Sequence, residues 1–146
     1  YREAFLPKIE SEVEKHRIFN RLGLVEFSKK RFELQVTNYS DGEYFGRHTD
    51  NSLSQTQNRK ISFVYYLRRQ RDCYSGGELV LYDWRSRSSK LAAKSHTRIL
   101  PYENSIVFFV SSDVHEVLPT FVESGCREDG RFSINGWIVN DSGRVQ

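Results

Sequence analysis

The spacing of apolar residues changes period once along the chain. From about Glu3 to Arg21, Phe5, Ile9 and Val13 recur every four residues, joined by Leu6, with charged residues in the gaps. That spacing predicts a helix with one apolar face. Pro7 is expected in its first turn, where a missing N–H costs nothing. Gly23 is expected to end it.

Beyond Gly23 the period shortens to two. In "RFELQVTNY", Phe32, Leu34 and Val36 alternate with Glu33, Gln35, Thr37 and Tyr39, as the two faces of a strand require. "KISFVYYLR", "GGELVLYDW", "RILPYENSIVFFVS", "VHEVLPTF" and "RFSINGWIV" are further runs rich in β-branched and aromatic residues. Short strands punctuated by Gly, Asn, Asp and Ser predict an all-β sandwich or barrel behind an N-terminal helix. No internal repeat or Gly/Pro/Ser-rich linker divides the chain. The 146 residues are therefore expected to form one domain, with 1–25 as helical support and 32–140 as the β core. The polar stretch from Asn51 to Asn58 reads as a mobile loop.

Composition narrows the setting. Ten Phe, eight Tyr and two Trp can supply a core. A net charge of +3 is too small to argue for nucleic acid. Arg68, Arg69 and Arg71, and then Arg85, Arg87 and Lys90, form basic clusters that read either as solvated loops or as a docking surface for an acidic partner. Cys73 and Cys126 stand alone, which makes a reduced, intracellular setting the default. No apolar run is long enough for a membrane helix, and the first residues carry no hydrophobic signal segment. A cytoplasmic location without a membrane role is expected.

The candidate chemistry begins at "GRHTDNS". His48 and Asp50 are two residues apart, so in an extended chain they project from one face. They could hold a metal, or be a surface histidine beside a capping aspartate. Of the other histidines, His16 lies in the charged helix and His96 in a basic loop, and both are expected at the surface. His115 emerges from the end of the apolar run "SIVFFVSSDV", where it could line a cavity. Two histidines and one carboxylate make the facial triad of non-haem iron. In the last strand, Arg131, Ser133 and Asn135 share the face opposite Phe132, Ile134 and Ile138. That polar face is either solvent-exposed or lines a pocket in which Arg131 with Ser133 could bind a carboxylate.

Taken together these segments resemble the Fe(II)- and 2-oxoglutarate-dependent dioxygenases of the prolyl-4-hydroxylase-like branch. In chain order, the resemblance rests on "YSDGEYFGRHTDN", "RKISFVYYL", "SGGELVLY", "IVFF", "HEVLP" and "GRFSINGW", and it runs from about Val36 to Val139. It implies a double-stranded β-helix, or jelly roll. It implies Fe(II) held by His48, Asp50 and His115, through which catalysis would run. It implies 2-oxoglutarate with its far carboxylate on Arg131, helped by Ser133, Tyr66 and Tyr39, with Asn135 at the border. Molecular oxygen is the further reactant, and ascorbate is a candidate addition. The connection between His115 and Arg131 contains "FVESGCREDG", longer than is usual in such chains, which predicts a longer hairpin loop.

The reaction implied is hydroxylation of a C–H bond coupled to decarboxylation of 2-oxoglutarate to succinate. A prolyl residue in a peptide or protein is the first expectation for the substrate. A free amino acid or other small molecule, or a non-catalytic iron-binding jelly roll, are the alternatives. Within the resemblance, Asp50 argues against a halogenase, which needs a small residue there. Trp137, six residues after Arg131, stands where a nucleic-acid repair enzyme would carry a second Arg.

Overall fold

The computed structural model describes residues 2–67, 73–82 and 95–141. The clusters at Arg68, Arg69 and Arg71 and at Arg85, Arg87 and Lys90 lie outside the described residues.

The N-terminal segment forms two helices where the sequence predicts one, α1 at Arg2–Lys15 and α2 at Ile18–Arg21. Arg17 lies between them in the left-handed region at φ 50°. A left-handed non-glycine residue costs about 1–2 kcal/mol, and the bend delivers Phe19, 3% exposed, to the core. Pro7 lies inside α1, not in its first turn. The bond it deletes is the one to the Glu3 carbonyl, so the loss falls where the helix end is already weak. Gly23 does end the segment. At φ +68° it closes a Schellman turn, with Leu24 N–H donating to Phe19 O at 2.9 Å and Gly23 N–H to Asn20 O at 3.1 Å.

The rest is antiparallel sheet. The strands are β1 (Lys30–Tyr39), β2 (Phe45–His48), β3 (Arg59–Leu67), β4 (Ser75–Gly76), β5 (Leu79–Tyr82), β6 (His96–Ile99), β7 (Ile106–Val110), β8 (His115–Val117), β9 (Thr120–Phe121) and β10 (Arg131–Asn140). One four-stranded sheet runs β1-β10-β3-β7, a second runs β2-β8-β5-β6, and β4 pairs with β9. The two larger sheets form the jelly roll.

The alternation read from the sequence decides which residues face which layer. Phe32, Ile61, Phe63 and Ile138 leave the first sheet on its outer face and pack with Ile9, Val13 and Phe19 of the helices. Val64, Tyr66, Leu79 and Phe109 pack between the sheets. Gly136 is needed at the crossing of β10 and β3, because a Cβ there would lie 2.1 Å from Phe63 Cζ. Pro119 divides the "VHEVLPTF" run into β8 and β9. The connection after Phe121 is ordered by a turn at Gly125 and a 3-10 turn at Arg127–Asp129. The Asn51–Asn58 stretch is a series of turns, pinned by Thr56 N–H to Leu53 O and Arg59 N–H to Thr56 O, both 2.9 Å. Among the described residues, no helix is long and apolar enough to cross a membrane.

Candidate metal centre

His48 ends β2 and His115 begins β8, and the two are direct partners across that antiparallel pair. Their ring centroids are 4.1 Å apart. Asp50 departs from the extended geometry expected of it, because it lies in the turn after β2. Its N–H donates to Ser111 O at 2.9 Å, and its carboxylate faces both Nε2 atoms. Asp50 Oδ1 lies 3.6 Å from His48 Nε2, and Oδ2 lies 3.6 Å from His115 Nε2. One ligand atom from each residue falls within 4.8 Å of the other two.

The tautomers follow from the backbone. His48 Nδ1 faces Gly46 O at 2.8 Å and His115 Nδ1 faces Asp113 O at 2.9 Å. A carbonyl can only accept, so each Nδ1 carries its proton and each neutral ring turns the Nε2 lone pair toward Asp50. Burial favours the neutral ring of His115 and lowers its pKa, with the attraction of Asp50 acting against it. For His48 burial acts in the same sense, but the contact with Asp50 prevails and raises the pKa. Burial also opposes ionisation of Asp50. His48, His115, Ser62 and Trp137 outweigh it and hold the carboxyl at about 2. Two neutral imidazole nitrogens and one carboxylate, open on one side to a cavity, are a donor set that fits Fe(II).

The same cavity, about 100 Å3, is lined by His48, Asp50, His115, Tyr39, Asn135 and Arg131 among others. Arg131 is 1% exposed, and among the described residues no carboxylate pairs with it. Its guanidinium carbon lies 5.2 Å from the Tyr39 ring centroid and 5.0 Å from that of Tyr66. Arg131 Nε, Tyr66 Oη and Thr120 Oγ1 are buried without a hydrogen-bond partner. The guanidinium approaches the Tyr66 hydroxyl without closing a bond of normal geometry. Burial raises the pKa of both tyrosines, and the Arg131 charge offsets part of it. Uncompensated buried polar atoms around one cation are expensive, and a carboxylate is the group that would satisfy them.

Ser133 is fully buried beside Arg131, but its hydroxyl donates to Asn135 Oδ1 at 3.2 Å, and Asn135 Nδ2 donates to Thr37 Oγ1 at 2.8 Å. Its proton is therefore directed along the strand. The other arginines near the site in sequence are paired. Arg59 bonds Glu33 at 2.7 Å, and Arg47 faces Glu116 at 3.7 Å. His16 is at the surface beside Glu12, and His96 is exposed at the start of β6.

Some members of the site escape a motif search. Ser62 donates to Asp50 Oδ2 at 2.6 Å. Phe45 stacks on His48 with centroids 3.9 Å apart. Arg59 lies 3.8 Å over the Trp137 ring. Alternation back from Tyr66 through Val64 would have placed Ser62 on the cavity face; Phe45 carries no such signal.

Comparison with known proteins places the chain in a family. The profile of the 2OG-Fe(II) oxygenase superfamily matches residues 34–139. An uncharacterized PKHD-type hydroxylase of Synechocystis sp. is 35% identical over 122 residues, 83% of this chain and 40% of that protein. A PKHD-type hydroxylase of Maricaulis maris is 26% identical over 92% of this chain and 55% of its own length. This chain thus spans about half or less of the length of these curated relatives. Among solved structures, a Pseudomonas putida prolyl-4-hydroxylase superposes with a TM-score of 0.60 at 25% identity, covering 90% of this chain and 62% of that one. A 2OG-Fe(II) oxygenase family oxidoreductase of Burkholderia pseudomallei shares the fold, with a TM-score of 0.67 at 15% identity over 97% of this chain and 58% of its own.

Proposed function

The chain belongs to the 2OG-Fe(II) oxygenase superfamily, in its prolyl-4-hydroxylase-like branch, and from that premise we propose that it is the hydroxylating domain of a 2-oxoglutarate-dependent dioxygenase. His48, Asp50 and His115 would hold Fe(II), leaving three positions for cosubstrate and oxygen. Arg131 would bind the far carboxylate of 2-oxoglutarate, with the Tyr39 and Tyr66 rings flanking the guanidinium and the Tyr66 hydroxyl donating to the same group. Ser133, whose hydroxyl donates to Asn135 Oδ1, would help by keeping that wall of the pocket rigid beside the carboxylate. When bound, iron and 2-oxoglutarate supply the oxidising chemistry, converting the cosubstrate to succinate and CO2 with insertion of one oxygen atom into a C–H bond.

The observation that carries this reading is the buried Arg131, without a paired carboxylate among the described residues, in one cavity with the His48, Asp50 and His115 cluster. A structural iron site alone gives no reason to bury an uncompensated guanidinium in the same cavity, on the facing sheet. The substrate we propose is a prolyl residue in a peptide or protein, a reading supported by the likeness to a prolyl-4-hydroxylase. The whole is proposed to act as one domain.

The test is mass spectrometry of proline-containing peptides, free amino acids and other small molecules turned over with Fe(II), 2-oxoglutarate and oxygen. A gain of one oxygen on a prolyl residue, matched by succinate, is the expected result. Turnover of free amino acids alone would move the reading to small molecules. Iron binding with no 2-oxoglutarate consumption by any candidate would leave a non-catalytic module.

A further inference from the structure

Behind the carboxylate of Asp50 lie two serine hydroxyls in an apolar part of the core. Ser62 interrupts the run Ile61, Ser62, Phe63, Val64 on β3 and is 2% exposed, and Ser111, just after β7, is fully buried. Ser62 Oγ lies 2.6 Å from Asp50 Oδ2 and 2.9 Å from Ser111 Oγ. The order of donation is determined. An ionised carboxylate only accepts, so the Ser62 proton goes to Asp50, and Ser111 must supply the proton between the two hydroxyls. The chain runs Ser111 to Ser62 to Asp50. Ser111 also accepts the Asp50 N–H through its carbonyl at 2.9 Å, and its own N–H donates to Lys60 O at 3.0 Å. Backbone and side chain of Asp50 are thus anchored to one residue pair.

This anchoring is asymmetric. Each oxygen faces one histidine Nε2 at 3.6 Å, Oδ1 that of His48 and Oδ2 that of His115, and Trp137 also bonds the carboxylate, but only Oδ2 carries the short, charge-assisted bond from a serine. We propose that Ser62, backed by Ser111, is a positioning residue that holds Oδ2 back so that Asp50 meets the metal through Oδ1 alone. A carboxylate free to rotate could offer both oxygens and close a position the reaction needs. This inference rests on the metal reading above.

The test uses Co(II), added to the metal-free protein and followed by its visible absorption. Ser62→Ala should weaken Co(II) binding by roughly 10- to 100-fold, the usual effect of removing a partner of a metal ligand, and should change the band shape as coordination at Asp50 changes. Ser62→Thr keeps the hydroxyl and should restore affinity and band. Ser111→Ala should shift both in the same direction by less, because it acts through Ser62. A merely structural serine would lower the melting temperature and leave affinity and band alone. That result overturns the proposal. If Ser62→Ala fails to fold, Ser111→Ala decides, and wild-type affinity with a wild-type band in that variant overturns the proposal as well. Equal Co(II) affinity for wild type and Asp50→Ala also overturns it, and this outcome alone takes the metal reading with it.

Discussion

Arg131 and Tyr66 meet between the two sheets, the guanidinium carbon 5.0 Å from the ring centroid, with Arg131 Nε and Tyr66 Oη both lacking a hydrogen-bond partner. Such a pair is prepared for an anion. Removing one partner of a buried charge pair typically costs about 2–5 kcal/mol, so Arg131→Ala should raise the half-saturating 2-oxoglutarate concentration roughly 30-fold to several thousand-fold. Arg131→Lys should recover part of this, because an ammonium lacks the planar fork. Tyr66→Phe should cost less, on the order of 1–3 kcal/mol. The 2-oxoglutarate dependence of succinate formation measures all three. Wild-type half-saturation in Arg131→Ala would remove Arg131 from the pocket.

The metal ligands are tested by single removal. His48→Ala, Asp50→Ala and His115→Ala should each abolish turnover, since two ligands no longer fix the geometry. Asp50→Gly is the sharper variant, because it empties a ligand position while both histidines keep their backbone partners at Gly46 and Asp113. Full succinate production by iron-loaded Asp50→Ala protein would sink the triad.

The longer strands and the faces their residues take were legible because alternation is local. Tyr39 and Arg131 come out on the cavity side of β1 and β10 by period two alone, and the register makes them partners. The left-handed backbone conformation of Arg17 was not legible, since nothing in "KHRIF" requires it; it accompanies the bend that places Phe19 in the core. The position of Asp50 off the strand was not legible either, because it depends on Ser111, sixty-one residues away in sequence. Alternation reaches the face of Ser62 but not its partner. The role of that serine exists only once Asp50 has folded against it.

Gly77 offers a test of how tightly Arg131 is held. Gly77 has φ +67°, and a Cβ there would lie 2.4 Å from Arg131 Cδ and 2.9 Å from Thr120 Oγ1. Gly42 has φ +74° with nothing within 4 Å of its Cβ position. Both alanine variants bear the left-handed strain of about 1–2 kcal/mol. At roughly 2–4 °C per kcal/mol for a domain of this size, that is a modest loss of melting temperature. Only Gly77→Ala must also push the Arg131 side chain. It should lose more stability than Gly42→Ala and raise the half-saturating 2-oxoglutarate concentration. Equal behaviour of the two variants would mean that Arg131 tolerates displacement.

Glu33 sets a stability change with acid. Arg59 Nε and Nη2 each lie 2.7 Å from Glu33 Oε2, and Arg31 Nη1 lies 2.8 Å from Oε1. Burial alone would raise the carboxyl pKa, but the bonds from Arg59 and Arg31 outweigh it and hold the group below its ordinary value of 4.5. The folded protein therefore gives up this proton more readily than the unfolded chain. The stabilisation is fully present above the unfolded value and is lost as pH falls through the folded one. Both side chains of the Glu33–Arg59 pair keep some exposure, 25% and 20%, so about 0.5–1 kcal/mol is the expected size. Glu33→Gln should thus melt lower than wild type by an amount that stays constant from neutral pH down to about pH 5.5, shrinks below 4.5 and vanishes in stronger acid. Other carboxylates titrate in both proteins and cancel from the difference. Arg59 also rests on the Trp137 ring at 3.8 Å, and that contact does not titrate, so it cannot produce the acid dependence. A wild-type advantage that persisted unchanged to pH 3 would show that Glu33 stabilises the fold through packing and not through its charge.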